Sequence, residues 1–165
     1  MPILDARAVE FFTRGPEQTR RLGMRLGALL QRGDLVCLSG DLGSGKTTLV
    51  QGIARGWGSL DPVTSPTFIL VNAYRHPAGQ VLHHLDAYRL QSALEAEDLD
   101  LDRMLEEGPL VVEWPERIDA ALPDGRLAVA LRWMTEDQRG MVMSARGSRH
   151  EGLLGQLRRK VYGGT

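Results

Sequence analysis

A chain of 165 residues with 42% hydrophobic content can bury a sizeable core without disulfide or metal staples. Twenty basic and twenty-one acidic residues nearly cancel, which excludes the broad nucleic-acid or membrane surface that a strongly basic chain carries. The lone cysteine, Cys37, sits in an apolar run and reads as a buried thiol of a reducing compartment, and no run reaches the roughly 20 apolar residues of a membrane span. The N-terminus lacks the basic start and apolar stretch of a signal peptide. One soluble, cytoplasmic domain over residues 1–165 is expected, with no membrane partner.

In chain order, a short strand at Val9 to Thr13 is followed by Pro16 and Glu17, which suit a helix's first turn. Leu22, Leu26, Leu29 and Leu30 then recur at helical spacing up to Gly33. "DLVCLSG" is an apolar strand closed by glycine, and "KTTLVQGIARGWG" is a helix that ends at glycines. "TFILVNAY" and "QVLHHLDAY" are β-rich runs joined by "RHPAG", too short for a parallel crossover, so they form a hairpin. Residues 92–107 carry acids and spaced leucines that predict two short helices before the buried strand "PLVVEW". "RLAVALRWM" and "QRGMVMSARG" make a second hairpin across "TEDQ", and Glu151 to Val161 reads as a terminal amphipathic helix. The fold class is α/β, with a mixed central sheet that contains antiparallel hairpins.

Between the strand "DLVCLSG" and the helix after it lies "GDLGSGKT", Gly40 to Thr47, a full GxxxxGK[ST] match in the strand–loop–helix context that this phosphate-binding loop requires. Its glycines let backbone N–H groups turn inward around phosphate oxygens, and the following helix adds its positive N-terminal end. Lys46 is expected to reach the β- and γ-phosphates, and the Thr47 hydroxyl to coordinate Mg²⁺. Only two of the twenty basic residues are lysine, Lys46 and Lys160. A chain that otherwise uses arginine therefore places a compact ammonium where a planar fork would fit poorly among phosphates.

Such a site needs a second protein ligand for the metal, usually an acid at the end of a neighbouring buried strand. Asp86, ending "VLHHLD", and Glu113, ending "PLVVE", are both candidates, because ligands of open α/β sheets bind beyond the carboxyl ends of strands. Glu116 follows Pro115 and reads as an acid of a helix's first turn. His83 and His84 point to opposite faces of their strand and are read as ordinary strand residues. "VTSPTF", Val63 to Phe68, offers three hydroxyls around a proline and is either a fixed turn or a switch-like segment that orders against a γ-phosphate.

Together "GDLGSGKTTLVQGIARG", "VTSPTFILVNAY", "HHLDAYRL" and "VVEWPER", in this order and spacing, resemble the TsaE (YjeE) family of small bacterial P-loop ATPases, from about Thr13 to Gly147. The resemblance implies a three-layer P-loop NTPase fold. It also implies a partner of the TsaB and TsaD proteins in making threonylcarbamoyladenosine (t6A) on tRNA. TsaD would transfer the threonylcarbamoyl group, and this chain would bind and hydrolyse ATP so that the complex turns over, meeting tRNA only indirectly. The implied nucleotide-binding residues are Gly40, Asp41, Leu42, Gly43, Ser44, Gly45, Lys46, Thr47 and Thr48, with Thr13 on the adenine side. Thr47 and Glu113 are the implied Mg²⁺ ligands, Asp86 the second essential acid, and Thr64, Ser65 and Thr67 the switch-like residues. Trp114 follows the metal ligand in "EWPE", where its packing would respond to nucleotide or partner.

Two other functions share these features. A small-molecule P-loop kinase also needs an acceptor pocket and an arginine-bearing lid, yet "QSALEAEDLDLDRMLEEG" is acidic with one arginine. A nucleotide-sensing interaction module would bind ATP and barely hydrolyse it. No arginine stands in a diagnostic motif, and Arg89 and Arg117 are merely nearest in sequence to the acids.

Overall fold

The computed structural model describes residues 3–5, 7–41, 43–63 and 71–163. Among these residues eight strands form one sheet: β1 (Ile3–Asp5), β2 (Ala8–Arg14), β3 (Leu35–Ser39), β4 (Val71–Arg75), β5 (Val81–Asp86), β6 (Leu110–Glu113), β7 (Arg126–Trp133) and β8 (Gln138–Arg146). Their spatial order is β1-β2-β8-β7-β3-β6-β5-β4. The four central strands run parallel, β3 with both β6 and β7, and β5 with β6. Antiparallel pairs flank them, and both expected hairpins are among these, β4 with β5 and β7 with β8. Strands covered on both faces need continuous apolar runs, which is what "LVCLS" and "LVVE" supply.

Among the described residues five helices cover the sheet: α1 (Gly15–Gly27), α2 (Lys46–Trp57), α3 (Ala93–Glu97), α4 (Leu101–Glu107) and α5 (Ser148–Tyr162). Alternation along β3 sends Val36 and Leu38 into the core beneath α1, α2 and α5, and Leu35 and Cys37 into the core beneath α3 and α4. The result is the three-layer α/β arrangement. Burial raises the Cys37 thiol to about 11, so it stays protonated and inert in the second core. Among the described residues no helix is long and apolar enough to cross a membrane.

Three details differ from the sequence pattern. Helix α1 stops at Gly27, and Leu29 and Leu30 follow in a tightened turn whose N–H groups bond to Leu26 and Gly27. Leu30 remains buried, so the apolar spacing that extends the helix in sequence is satisfied by the turn. After β6 the chain forms only two three-residue 3₁₀ turns, at Pro115–Arg117 and Asp119–Ala121. Strand β1, with no apolar period of its own, exists through backbone pairing to β2.

Helices α1 and α2 meet along a glycine seam. A Cβ on Gly27, Gly52 or Gly56 would overlap the carbonyl oxygens of Ile53, Arg20 and Met24 respectively, and one on Gly23 would lie 2.5 Å from the Leu49 carbonyl oxygen. The two backbones are therefore nearly in contact, and α2, whose first residue is Lys46, is braced from behind by α1. Gly52→Ala forces the helices apart and is expected to destabilise the fold by about 1–3 kcal/mol. In urea unfolding this appears as a lower midpoint at an unchanged slope.

Candidate functional site

The register of the parallel strands builds the site. Leu38 of β3, Glu113 of β6 and Asp86 of β5 are Cα partners in one row across the sheet. Residues in one row of a sheet share a face. Leu38 faces the core under α2, so both carboxylates project to that side, level with the last residues before the phosphate loop.

The loop itself leaves β3 at Ser39 and enters α2 at Lys46. Gly40 has φ +146°, and a Cβ there would come 2.7 Å from the Leu131 carbonyl oxygen and 2.8 Å from Ser44 Oγ. Gly45 caps α2 in the left-handed region at φ +105°, where side-chain-bearing residues are strained. Ser44 is 1% exposed, and among the described residues its Oγ has no hydrogen-bond partner. An orphaned buried hydroxyl beside a glycine-lined turn fits an anion with acceptor oxygens. Asp41 and Gly43 are exposed, and Thr47 and Thr48 are half-buried on the first turn of α2. Leu42, Thr64, Ser65 and Thr67 lie outside the described residues.

Lys46 Nζ donates to the Gly40 carbonyl oxygen at 2.6 Å and stands 4.5 Å from the centroid of the Trp114 ring. The ammonium thus rests on its own loop and on an aromatic face, a favourable placement for a largely buried cation. Trp114 occupies the left-handed region at φ +58°, a conformation that costs a bulky residue about 1–3 kcal/mol. Its ring also lies 5.0 Å from that of Tyr88, and the Arg117 guanidinium stands 5.4 Å from the Tyr88 ring. The strained turn after β6 is therefore held by stacking that begins at the phosphate-loop lysine.

The acids differ in surroundings. Asp86 is half-buried, and its Oδ1 accepts the Tyr88 N–H at 3.0 Å, closing a local turn. Glu113 is 5% exposed, and its Oε2 lies 2.6 Å from His84 Nε2; His84 Nδ1 lies 3.3 Å from the Tyr74 hydroxyl. Burial raises the Tyr74 phenol above its ordinary value. His84 is thus more than an ordinary strand residue. The alternation that separates it from His83 also puts it on the face of Asp86 and Glu113, so the period of two in "HHLD" carried a signal that the histidine pair obscured. His83, on the other face, is 3.6 Å from Glu107, and burial lowers its basicity.

A cleft of about 250 Å³ adjoins the loop, lined by Gly15, Pro16, Thr19, Gly45 and Thr48 together with Glu136, Asp137 and Arg139 of the β7–β8 hairpin. Thr13 stands behind this wall, its Oγ1 2.7 Å from that of Thr19. Arg139 donates to the Gly43 carbonyl oxygen at 3.4 Å. No local motif marks this arginine, because only the β8 pairing carries it to the loop. Among the described residues no three or more His, Cys, Asp or Glu side chains converge as a metal cage.

The family model of the threonylcarbamoyl adenosine biosynthesis protein TsaE matches residues 13–141. The chain belongs to the TsaE family. It is 36% identical over 154 residues to the tRNA threonylcarbamoyladenosine biosynthesis protein TsaE of Bacillus subtilis, covering 93% of this chain and 96% of that one. Against the protein of the same name from Streptomyces coelicolor, identity is 49% over 116 residues, 68% of this chain and 77% of the relative. The crystal structure of Bacillus subtilis YdiB superposes with a TM-score of 0.78 at 31% identity, covering 94% of this chain and 97% of that one. As in this TsaE-family chain, the fold is thus shared over nearly the whole length.

The Lys46–Trp114 contact is open to spectroscopy. With the three tryptophans labelled as 5-fluorotryptophan, Lys46→Met is expected to shift the ¹⁹F resonance of Trp114 and to leave those of Trp57 and Trp133 in place. An unmoved Trp114 resonance would show that the ammonium does not sit over its ring.

Proposed function

We propose that this chain, as one domain over residues 1–165, serves t6A biosynthesis by binding ATP at the Gly40–Thr47 loop and hydrolysing it as the partner of TsaB and TsaD. The observation that carries the reading is the row Leu38–Glu113–Asp86, which brings two carboxylates level with a complete phosphate loop. Family membership supports the biosynthetic role, and the loop supports nucleotide binding.

In this reading the loop amides from Asp41 to Thr47, Leu42 included, surround the phosphates, and Lys46 leaves the Gly40 carbonyl for the β- and γ-phosphate oxygens. The cleft between the start of α1 and the β7–β8 hairpin takes the nucleoside, with Thr48 on its wall and Thr13 supporting Thr19. Thr47 and Glu113 are the side chains that would hold Mg²⁺, directly or through water, and the ion would offset the negative charge of the phosphates. Asp86, the more accessible acid, orients the attacking water, and Thr64, Ser65 and Thr67 sense the γ-phosphate. Catalysis of phosphoryl transfer is mostly positioning and electrostatic stabilisation, so Lys46 and the loop amides supply the larger share. The setting of such work is the cytoplasm, where ATP and tRNA meet.

The direct test is release of inorganic phosphate by purified protein with Mg²⁺ and ATP, alone and with TsaB and TsaD. Slow release alone and faster release in the complex is expected; equal rates would count against gating by partners. Asp86→Asn keeps an oxygen for the Tyr88 N–H and is expected to hold stability within about 0.5 kcal/mol. Its hydrolysis should fall by roughly 10²–10⁴, the range for a positioned proton acceptor, while ATP binding persists. Full activity in Asp86→Asn would remove that role.

A further inference from the structure

Glu113 raises a problem of its own. A carboxylate 5% exposed at the end of a buried strand has lost most of its hydration, and it is tolerated only where a donor replaces the water. That donor is His84, itself 1% exposed, at 2.6 Å from Oε2. The geometry points to His84 as a positioning residue for the metal-binding carboxylate, locked by Tyr74 in the tautomer that donates from Nε2 to Glu113.

The chain of hydrogen bonds runs in one direction. A carboxylate can only accept, so the 2.6 Å contact with Glu113 puts the imidazole proton on Nε2. In a neutral ring Nδ1 is then the acceptor, and the hydroxyl of Tyr74, 3% exposed, lies 3.3 Å from it. Burial keeps the Tyr74 phenol protonated, which preserves the donor. The three side chains share a face because Tyr74 pairs with Leu82 and His84 lies two residues on, while Asp86 pairs with Glu113. One oxygen of Glu113 is thus tethered, and the other is left for a ligand. Outer partners of this kind orient ligating groups and typically tune metal affinity by about 10–100-fold.

This inference rests on the proposed Mg²⁺–nucleotide site, and its test separates the two. The readout is the coupling between Mg²⁺ and ADP, taken as the ratio of ADP affinities with Mg²⁺ and with EDTA by titration calorimetry. In His84→Leu the ratio is expected to fall by roughly 10–100-fold while ADP affinity in EDTA stays near that of the wild type. His84→Gln, which keeps an N–H donor, should recover part of the ratio, and Tyr74→Phe should lower it by a few-fold. A purely structural role would reduce thermal stability and leave the ratio intact, which would overturn the proposal. If the wild type shows no Mg²⁺ dependence, the underlying site fails, and the role of His84 fails with it. Should His84→Leu not fold, the wild-type tautomer decides the matter by ¹⁵N NMR, with the His84 signal assigned from its loss in His84→Gln. A protonated Nε2 and bare Nδ1 support the proposal, and a protonated Nδ1 overturns it.

Discussion

The rest of the site depends on one hydrogen bond inside the sheet, between His84 on β5 and Glu113 on β6. An isolated carboxylate at that depth would neutralise or draw water into the core. With an imidazole N–H against it, β6 can end in an acid without breaking the apolar layer under α2. Two strands must run parallel and in register for this, since a slip by one residue would turn His84 to the opposite face. The same register sets Asp86 beside Glu113, so the constraint that pays for one buried acid also locates the second.

From this row the architecture extends in two directions. Behind the phosphate loop, α2 is pressed onto α1 by glycines that let the backbones nearly touch, so the helix end that receives the loop has a stiff support. In front of it, Lys46 contacts Trp114, which stacks near Tyr88, which in turn lies under Arg117. The loop lysine therefore meets the turn after β6 through van der Waals and cation–π contact. Tyr88 and Arg117, at the far end of this run of contacts, are exposed.

Family membership and the site geometry bear on different levels. The family model covers the chain from Thr13 into the first half of β8, and the fold is shared with a solved relative over nearly its whole length. The hydrogen-bond chain Tyr74–His84–Glu113 is a property of these side chains in this register, and it is what turns two acids at strand ends into unequal ones. Glu113 is buried and tethered, whereas Asp86 is half-buried and, among the described residues, bonded within a local turn. Two carboxylates in one row can divide their work because their environments differ.

Much of this was legible in the amino-acid sequence. The loop "GDLGSGKT" is a local motif whose geometry follows from glycine and lysine at fixed spacing, and the apolar runs before Glu113 and Asp86 announce strands that end in acids. The hairpins were legible too, because five- and four-residue links cannot carry a parallel crossover. What pairs with what was not. The neighbours of β3 are β6 and β7, distant in sequence, and that choice alone brings Glu113 beside the phosphate-loop strand. Likewise His84 reads as one of two adjacent histidines until β6 lies beside it, and Arg139 reads as one arginine among eighteen until β8 places it at Gly43. Short-range stereochemistry determines turns, periods and motifs from neighbouring residues. Strand order and register are settled by burial of side chains from remote segments, so only the folded sheet decided which acid is buried, what holds it and what surrounds the loop.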